Sequence, residues 1–259
     1  MSIPNKIFII PYRDRESQKN NFIKHMKYIL EDIPKSEYEI YFAHQCDSRP
    51  FNRGSIKNIG FLAIKNKYPD HYKDITFIFN DVDTMPRYKN TIDYNTSLET
   101  IRHFYGFDFA LGGFFSIKGA DFENINGFPG YWGWGLEDNA IYYRALSANL
   151  KVDRSNFFKI SAKEIIHLND SPLRLTNNSD PTRYKHSHAD GITSIKLLDY
   201  TIENDVINVK HFINSINPSN DKYYYKNIQT DTKLYENYLE RQIIKKSGVN
   251  KWNMMNFIK

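Results

Sequence analysis

The first eighty residues alternate between two hydrophobic periods, and this alternation narrows the possible folds more than any other feature. Ile7 to Ile10 is a short apolar run closed by Pro11, the pattern of a buried strand. Phe22, Met26, Ile29, Leu30 and Ile33 recur at helical spacing, with Ser17 as the capping residue and Pro34 as the stop. Tyr38 to Ala43 alternates as a strand does. Ser55 to Tyr68 carries Ile56, Ile59, Gly60, Leu62 and Ala63 at helical spacing, and Ile75 to Phe79 reads as a third strand. This order predicts an α/β fold with a mostly parallel central sheet flanked by helices. Ligands of such sheets bind beyond the carboxyl ends of the strands. The polar segments Pro11 to Arg15 and Asn80 to Asp83 both lie just past strand ends, so they are expected on one edge.

Further along, Leu111 to Ile117 reads as a strand and Asn126 to Gly135 as a glycine- and aromatic-rich loop. A helix is expected over Asn139 to Leu150, and Gly191 to Ser215 has room for one or two strands or a helix. Tyr223, Tyr224 and Tyr225 precede a predicted helix from Asp231 to Lys246, with Gly248 as its stop. The expected division is a domain over 1–215 and a helical appendage over 216–259 packed on it.

Composition excludes several classes. The net charge of +5 suits a polyanion such as a nucleoside diphosphate. No run of five Lys or Arg and no nucleic-acid-binding signature occurs, so nucleic acid is not an expected partner. Cys46 is the single cysteine, so no intrachain disulfide exists. No apolar stretch reaches transmembrane length, and the chain is expected to be cytoplasmic or otherwise soluble.

Three groups of residues carry chemistry. Asp81 and Asp83 are two apart on an extended chain and so face one side. Such a pair suits a hard cation, Mg²⁺ or Mn²⁺, that bridges to a diphosphate; the plain alternative is two solvated loop carboxylates. A phosphatase-type Asp-x-Asp-x-Thr motif is excluded because position 85 is Met85. Glu137 and Asp138 follow Trp132-Gly133-Trp134-Gly135. Indole faces suit sugar rings and a carboxylate beside them can act as base, whereas the plain reading is two acids favouring a helix N-terminus. His167 is either a metal ligand or structural, and Arg13, Arg15 and Arg53 are either a phosphate clamp or surface charges.

Taken together these blocks resemble the β-1,4-galactosyltransferase family. The similarity runs in order through Phe8 to Glu16, Phe51 to Gly54, Asn58 to Phe61, Asp81 to Asp83, Gly112-Gly113, Asn126 to Asp138 and Asp190 to Ser194, over roughly residues 6–210. The resemblance implies a GT-A, Rossmann-like fold, a Mn²⁺ cofactor (Mg²⁺ as the substitute) and direct inverting displacement of a UDP-sugar. It implies that Pro11, Tyr12, Arg13, Arg15, Phe51, Arg53, Asp81, Val82, Asp83, Gly113 and Trp134 hold the nucleotide sugar. It gives Asp138 as the base assisted by Glu137, and Tyr131, Trp132, Gly135, Glu137, Asp138 and Asn139 at the acceptor. It gives Asp83, His167 and Asn169 as metal ligands.

Several positions depart from the family. Glu164 stands where the Golgi enzymes carry a Met. The segment His167-Leu168-Asn169-Asp170 is closer to the His-Leu-His-Asp of the xylose-acceptor branch, with Asn169 for the second His. Asn139 replaces an acceptor-contacting Asp. Ala110 replaces a Tyr that restricts the donor, which leaves room for N-acetylgalactosamine as well as galactose. The family's membrane anchor and disulfides have no counterpart here. The expected function is thus transfer of a hexose from a UDP-sugar to a hydroxyl of a carbohydrate acceptor, with a β-linkage. Two rival readings are a non-catalytic UDP- or sugar-binding protein on the same fold and a metal-independent glycoside hydrolase using Glu137.

Overall fold

The computed structural model describes residues 3–168, 171–179 and 190–227. The N-terminal half follows the expected alternation: β1 (Lys6–Tyr12), α1 (Glu16–Ile29), β2 (Tyr38–Gln45), α2 (Arg53–Lys67) and β3 (Thr76–Asn80). Then come β4 (Thr84–Pro86), β5 (Thr100–Gly106), β6 (Phe114–Lys118), α3 (Gly119–Asn124), α4 (Glu137–Ser147), β7 (Lys151–Asp153) and β8 (Phe158–Lys159). The last described elements are β9 (Ile165–His167), β10 (Leu173–Asn177), β11 (Lys196–Glu203), β12 (Val206–Ile213) and β13 (Tyr223–Asn227).

One large sheet has the order β11-β12-β2-β1-β3-β6-β5-β7, with β8 also on β5. Pairing is parallel from β12 through β2 and β1 to β3; β11–β12, β3–β6 and β6–β5 are antiparallel, and β7 and β8 run parallel to β5. The reason β1 is central is plain in its residues. Ile7, Phe8, Ile9 and Ile10 are all fully buried, which suits a strand covered on both faces. Ile7 and Ile9 pack with Ile56 and Ile59 of α2; Phe8 and Ile10 pack with Phe22 and Met26 of α1. Because β1, β2 and β3 run parallel, their carboxyl ends share one edge, and the site lies there.

Local departures from the sequence expectations have physical causes. Pro11 lies inside β1 rather than ending it. Pairing with β3 stops at Ile9 while pairing with β2 continues to Tyr12, so Pro11 occupies an edge-like position where proline is tolerated. Ser17 does not cap α1; the helix begins at Glu16 with no side-chain cap. The strand expected from Leu111 begins only at Phe114. Gly113 before it has φ 67°, and a Cβ there would stand 2.4 Å from the Tyr105 carbonyl oxygen. Helix α4 starts two residues early, at Glu137, after Leu136 in the left-handed region (φ 71°).

The segment over Gly191 to Ser215 forms the hairpin of β11 and β12, and β12 extends the sheet beside β2. Beyond residue 215 the chain adds β13, which pairs with β10. The expected helix from Asp231 to Lys246 and its stop at Gly248 lie outside the described residues. Among the described residues no helix is long and apolar enough to cross a membrane.

Helix α2 lies close on β1 because Gly60 faces it. A Cβ at Gly60 would stand 2.5 Å from the Ile9 γ2 methyl. That methyl is branched at Cβ and cannot swing away. Gly60→Ala is therefore expected to lower stability by about 1–3 kcal/mol, despite a helix-propensity gain of about 1 kcal/mol. Denaturant unfolding checks this, and an unchanged or raised midpoint would contradict it.

Candidate active site

Segments that follow three parallel strands line one cleft of about 470 Å³. Pro11, Arg13, Asp14 and Arg15 come from the end of β1, Phe51 and Arg53 from the connection after β2, and Asp81, Val82 and Asp83 from the end of β3. The Arg13 guanidinium lies 5.2 Å and the Arg53 guanidinium 5.4 Å from the Phe51 ring centroid. Arg13 also donates to the Arg49 carbonyl at 2.6 Å. These contacts fix two cations and an aromatic face, the chemistry that suits a diphosphate and a base.

The glycine-rich loop forms the adjoining wall, its Gly133 N–H donating to the Phe51 carbonyl at 3.1 Å, and α2 fixes it in place. Asn52 caps α2 by accepting from the Ser55 N–H, and its amide donates to the Gly130 carbonyl at 2.9 Å. Asn58 makes a reciprocal pair with the Phe128 backbone, donating at 2.8 Å and accepting at 2.9 Å. Asp190 accepts from the Gly130 N–H, and from the hydroxyls of Ser194 and Ser215 at 2.6 and 2.7 Å. The loop thus delivers Trp134, Gly135, Leu136, Glu137, Asp138 and Asn139 to the cleft.

The acids at the start of α4 are held by cations from α2. Arg53 meets Glu137 at 3.3 Å, and the other oxygen of Glu137 accepts from the Gly135 N–H at 3.1 Å. Lys57, with only 2% of its side chain exposed, lies 3.3 Å from Asp138 Oδ1 and 3.8 Å from Asp81 Oδ1. Burial pushes the Asp138 carboxyl up to about 7; Lys57 opposes the rise while Glu137 and Asp81 add to it. A carboxyl in that range is half ionised near neutrality and is a far better base than the ordinary carboxylate.

A third corner holds metal-type donors. The antiparallel pair β4–β9 sets Thr84 opposite His167, and the Leu168 N–H donates to the Asp83 carbonyl at 2.8 Å. His167 Nδ1 lies 3.5 Å from the Tyr105 hydroxyl. Burial raises the Asp83 carboxyl, Asp81 raises it further, and His167 opposes. Oδ1 of Asp81 is buried with no hydrogen-bond partner. Crowded carboxylates with an orphaned oxygen, beside an imidazole, fit a hard divalent cation. Among the described residues no group of three His, Cys, Asp or Glu side chains gathers there. Asn169 lies outside the described residues.

Three expected contacts are not in the cleft. Tyr12 packs on Phe42 and His44, beside the sheet. Tyr131 is buried in a small cluster with Leu136 and Ala140. Trp132 is 1% exposed, stacks on Phe212 at 5.3 Å, and donates its indole N–H to the Ile216 carbonyl at 2.7 Å. It clamps the loop to β12 and is not a platform for sugar. Trp134 does line the cleft. Gly133 between them, at φ 81°, breaks the extended geometry that would put both indoles on one side.

Thr84, Tyr105, Arg174 and Lys226 also line the cleft, and Lys57 lies buried behind it against Asp138 and Asp81; none of the five was expected at the site from the sequence. The one sequence signal for Lys57 is that it shares the helical face of Ile56, Gly60 and Ile64. Arg174 and Lys226 are register partners on β10 and β13, a pairing with no local sequence signal.

Residues 3–95 match the model described as the N-terminal region of glycosyl transferase group 7. Residues 94–169 match that described as the N-terminal domain of galactosyltransferase. The chain is 28% identical over 211 residues to β-1,4-galactosyltransferase 7 of Drosophila melanogaster, covering 75% of this chain and 63% of that protein. It is 31% identical over 195 residues to β-1,4-galactosyltransferase 1 of Bos taurus, covering 70% of this chain and 45% of that protein. The fold matches the crystal structure of the Drosophila galactosyltransferase 7 catalytic domain in complex with xylobiose. That match has a TM-score of 0.68 at 22% identity and covers 84% of this chain and 97% of the other. A second structure of the Drosophila enzyme, with manganese, UDP-Gal and xylobiose, matches with a TM-score of 0.62 at 21% identity over the same shares of the two chains.

The two indoles are expected to behave differently on truncation. Trp132→Ala should cost about 3–5 kcal/mol of stability, while Trp134→Ala should change it by less than about 1 kcal/mol. Denaturant unfolding of the two variants measures this, and equal losses would contradict the assigned positions.

Proposed function

Because the chain belongs to the β-1,4-galactosyltransferase family, we propose that it is an inverting, metal-dependent glycosyltransferase acting on a UDP-sugar and a sugar acceptor. The observation that carries the proposal is Asp138. Its carboxyl is pushed up to about 7 and stands in the same cleft as the Arg13–Phe51–Arg53 group and the Asp81–Asp83 corner.

The residues divide the work as follows. Arg13, Arg15, Phe51 and Arg53 bind the uridine diphosphate, with Pro11, Val82 and Gly113 shaping its bed. Asp83 and His167 would hold Mn²⁺, with Asp81 beside them and Asn169 as the third ligand that the resemblance implies. The cation, when bound, supplies positive charge to the diphosphate as it leaves. Trp134 faces the sugars, and Glu137, fixed by Arg53 and the Gly135 N–H, accepts hydroxyls of the acceptor. Asp138 takes the acceptor proton. The acceptor oxygen then bonds to the anomeric carbon from the side opposite the diphosphate. The bond from that carbon to UDP breaks, and its electron pair leaves with UDP. A positioned base of this kind contributes roughly 10²–10⁴-fold.

Relatives support galactose as the donor sugar, since one solved neighbour is a complex with UDP-Gal. Ala110, small and set in the cleft lining, supports N-acetylgalactosamine as a second donor. The xylobiose complexes of the Drosophila enzyme support a sugar acceptor.

UDP release from a panel of UDP-sugars, with Mn²⁺ and with EDTA, tests the proposal. Release is expected with Mn²⁺ from a hexose donor and is expected to fall at least about 100-fold in Asp138→Asn. The pH dependence has a definite sign. Asp138 acts as a base only when ionised, so kcat/KM should fall as pH drops through about 7 and level off above it. UDP–Mn²⁺ binding without turnover would favour a binding protein, and metal-independent cleavage of glycosides would favour a hydrolase.

A further inference from the structure

Lys57 belongs to no part of the nucleotide, metal or acceptor machinery described above, yet its charge is buried directly behind the cleft-lining acids Asp138 and Asp81. Its side chain is 2% exposed, and its ammonium lies 4.5 Å from the Phe128 ring centroid. A lysine so buried carries a large desolvation cost, which only close acids offset. Those acids are Asp138 Oδ1 at 3.3 Å and Asp81 Oδ1 at 3.8 Å. Oδ1 of Asp81 has no hydrogen bond, so its ion pair with Lys57 is the interaction that fixes it among the described residues.

Asp138 is faced by Lys57 and Arg53 from α2, by Glu137 on its own helix, and by Asp81 beyond β3. With Oδ1 engaged by Lys57, Oδ2 has no hydrogen-bond partner among the described residues. Gly112 keeps the space beside Oδ2 open, since a Cβ there would stand 3.0 Å from that oxygen. Gly112 also lines the cleft.

We propose that Lys57 is a positioning residue for the base: its ammonium clamps Asp138 Oδ1, leaves Oδ2 as the oxygen that takes the acceptor proton, and joins the base to Asp81 at the nucleotide end. The inference rests on the transferase reading. The clamp has two separable parts. A hydrogen bond orients the carboxylate, and a positive charge keeps it ionised against burial. Arg53 does not duplicate this clamp, since the acid it pairs with is Glu137 at 3.3 Å.

Lys57→Met removes both parts and Lys57→Gln keeps a donor without the charge. In Lys57→Met, kcat is expected to fall on the order of 10–100-fold, with a much smaller change in donor KM. The acidic limb of kcat/KM is expected to move up by about one pH unit or more. Lys57→Gln should recover part of kcat and keep the displaced limb. A structural role alone predicts loss of folded protein with an unmoved limb in the enzyme that remains, counted by UDP–Mn²⁺ binding, and that result overturns the clamp. If neither variant folds, the lysine ¹⁵N ammonium signals of the parent carry the test. One slowly exchanging signal displaced by Asp138→Asn upholds the clamp, and no such signal overturns it. Turnover in the parent with an unmoved limb in both variants sinks this inference alone. Absence of turnover in the parent with every donor sinks the transferase reading and the clamp with it.

Discussion

The hydrogen bonds between α2 and the glycine-rich loop are the constraint on which the rest of the site depends. The stretch from Asn126 to Leu136 has no regular structure, so its backbone groups need partners from elsewhere. Asn52 and Asn58 supply them from one helix, and Asp190 supplies another from a distant segment. Each such bond contributes about 1 kcal/mol net, but leaving its buried partner unsatisfied costs about 1–3 kcal/mol. The loop is therefore held in one arrangement. That arrangement brings Arg53 and Lys57 of α2 against Glu137 and Asp138 of α4, residues more than seventy positions apart.

The cleft concentrates charge that a fold would otherwise avoid burying. Asp81, Asp83, Glu137 and Asp138 share one concavity with Arg13, Arg53 and His167, and Lys57 is buried behind Asp81 and Asp138. Buried pairs of this kind are weak sources of stability, because desolvation offsets their attraction. On the proposed function these pairs serve chemistry instead, since burial lifts Asp138 toward neutrality and raises Asp83 beside Asp81. The left-handed backbone of Leu136, immediately before the acids, is a further local cost at the same place. The stability that tolerates these costs comes from elsewhere, from a sheet whose central strand is buried on both faces.

The sequence reveals the parallel half of the sheet well, because a four-residue apolar strand and a helical stripe have distinct periods. The same residues place Arg13, Asp81 and Asp83 on one edge without any contact being known. Legibility fails where contacts are non-local. Trp132 and Trp134 read alike in sequence, and only Phe212 and Ile216, some eighty residues later, separate the core indole from the cleft indole. Tyr12 follows the strand pleat toward Phe42, whereas the resemblance implied a place for it at the nucleotide. Lys57 was hidden for another reason. A lysine is usually read as solvated, and its inward helical phase outweighs that habit only when the opposing acids are known.

The central claim of the proposed function is that Asp138 assists attack on the anomeric carbon from the side opposite the departing diphosphate. In-line attack of that kind inverts the anomeric configuration. The direct measurement is the ¹H NMR spectrum of the first-formed product from an α-linked UDP-hexose, read at the anomeric proton. A β-linked product is predicted. An α-linked product would contradict in-line attack assisted by Asp138 and would require a different placement of donor and acceptor in the cleft.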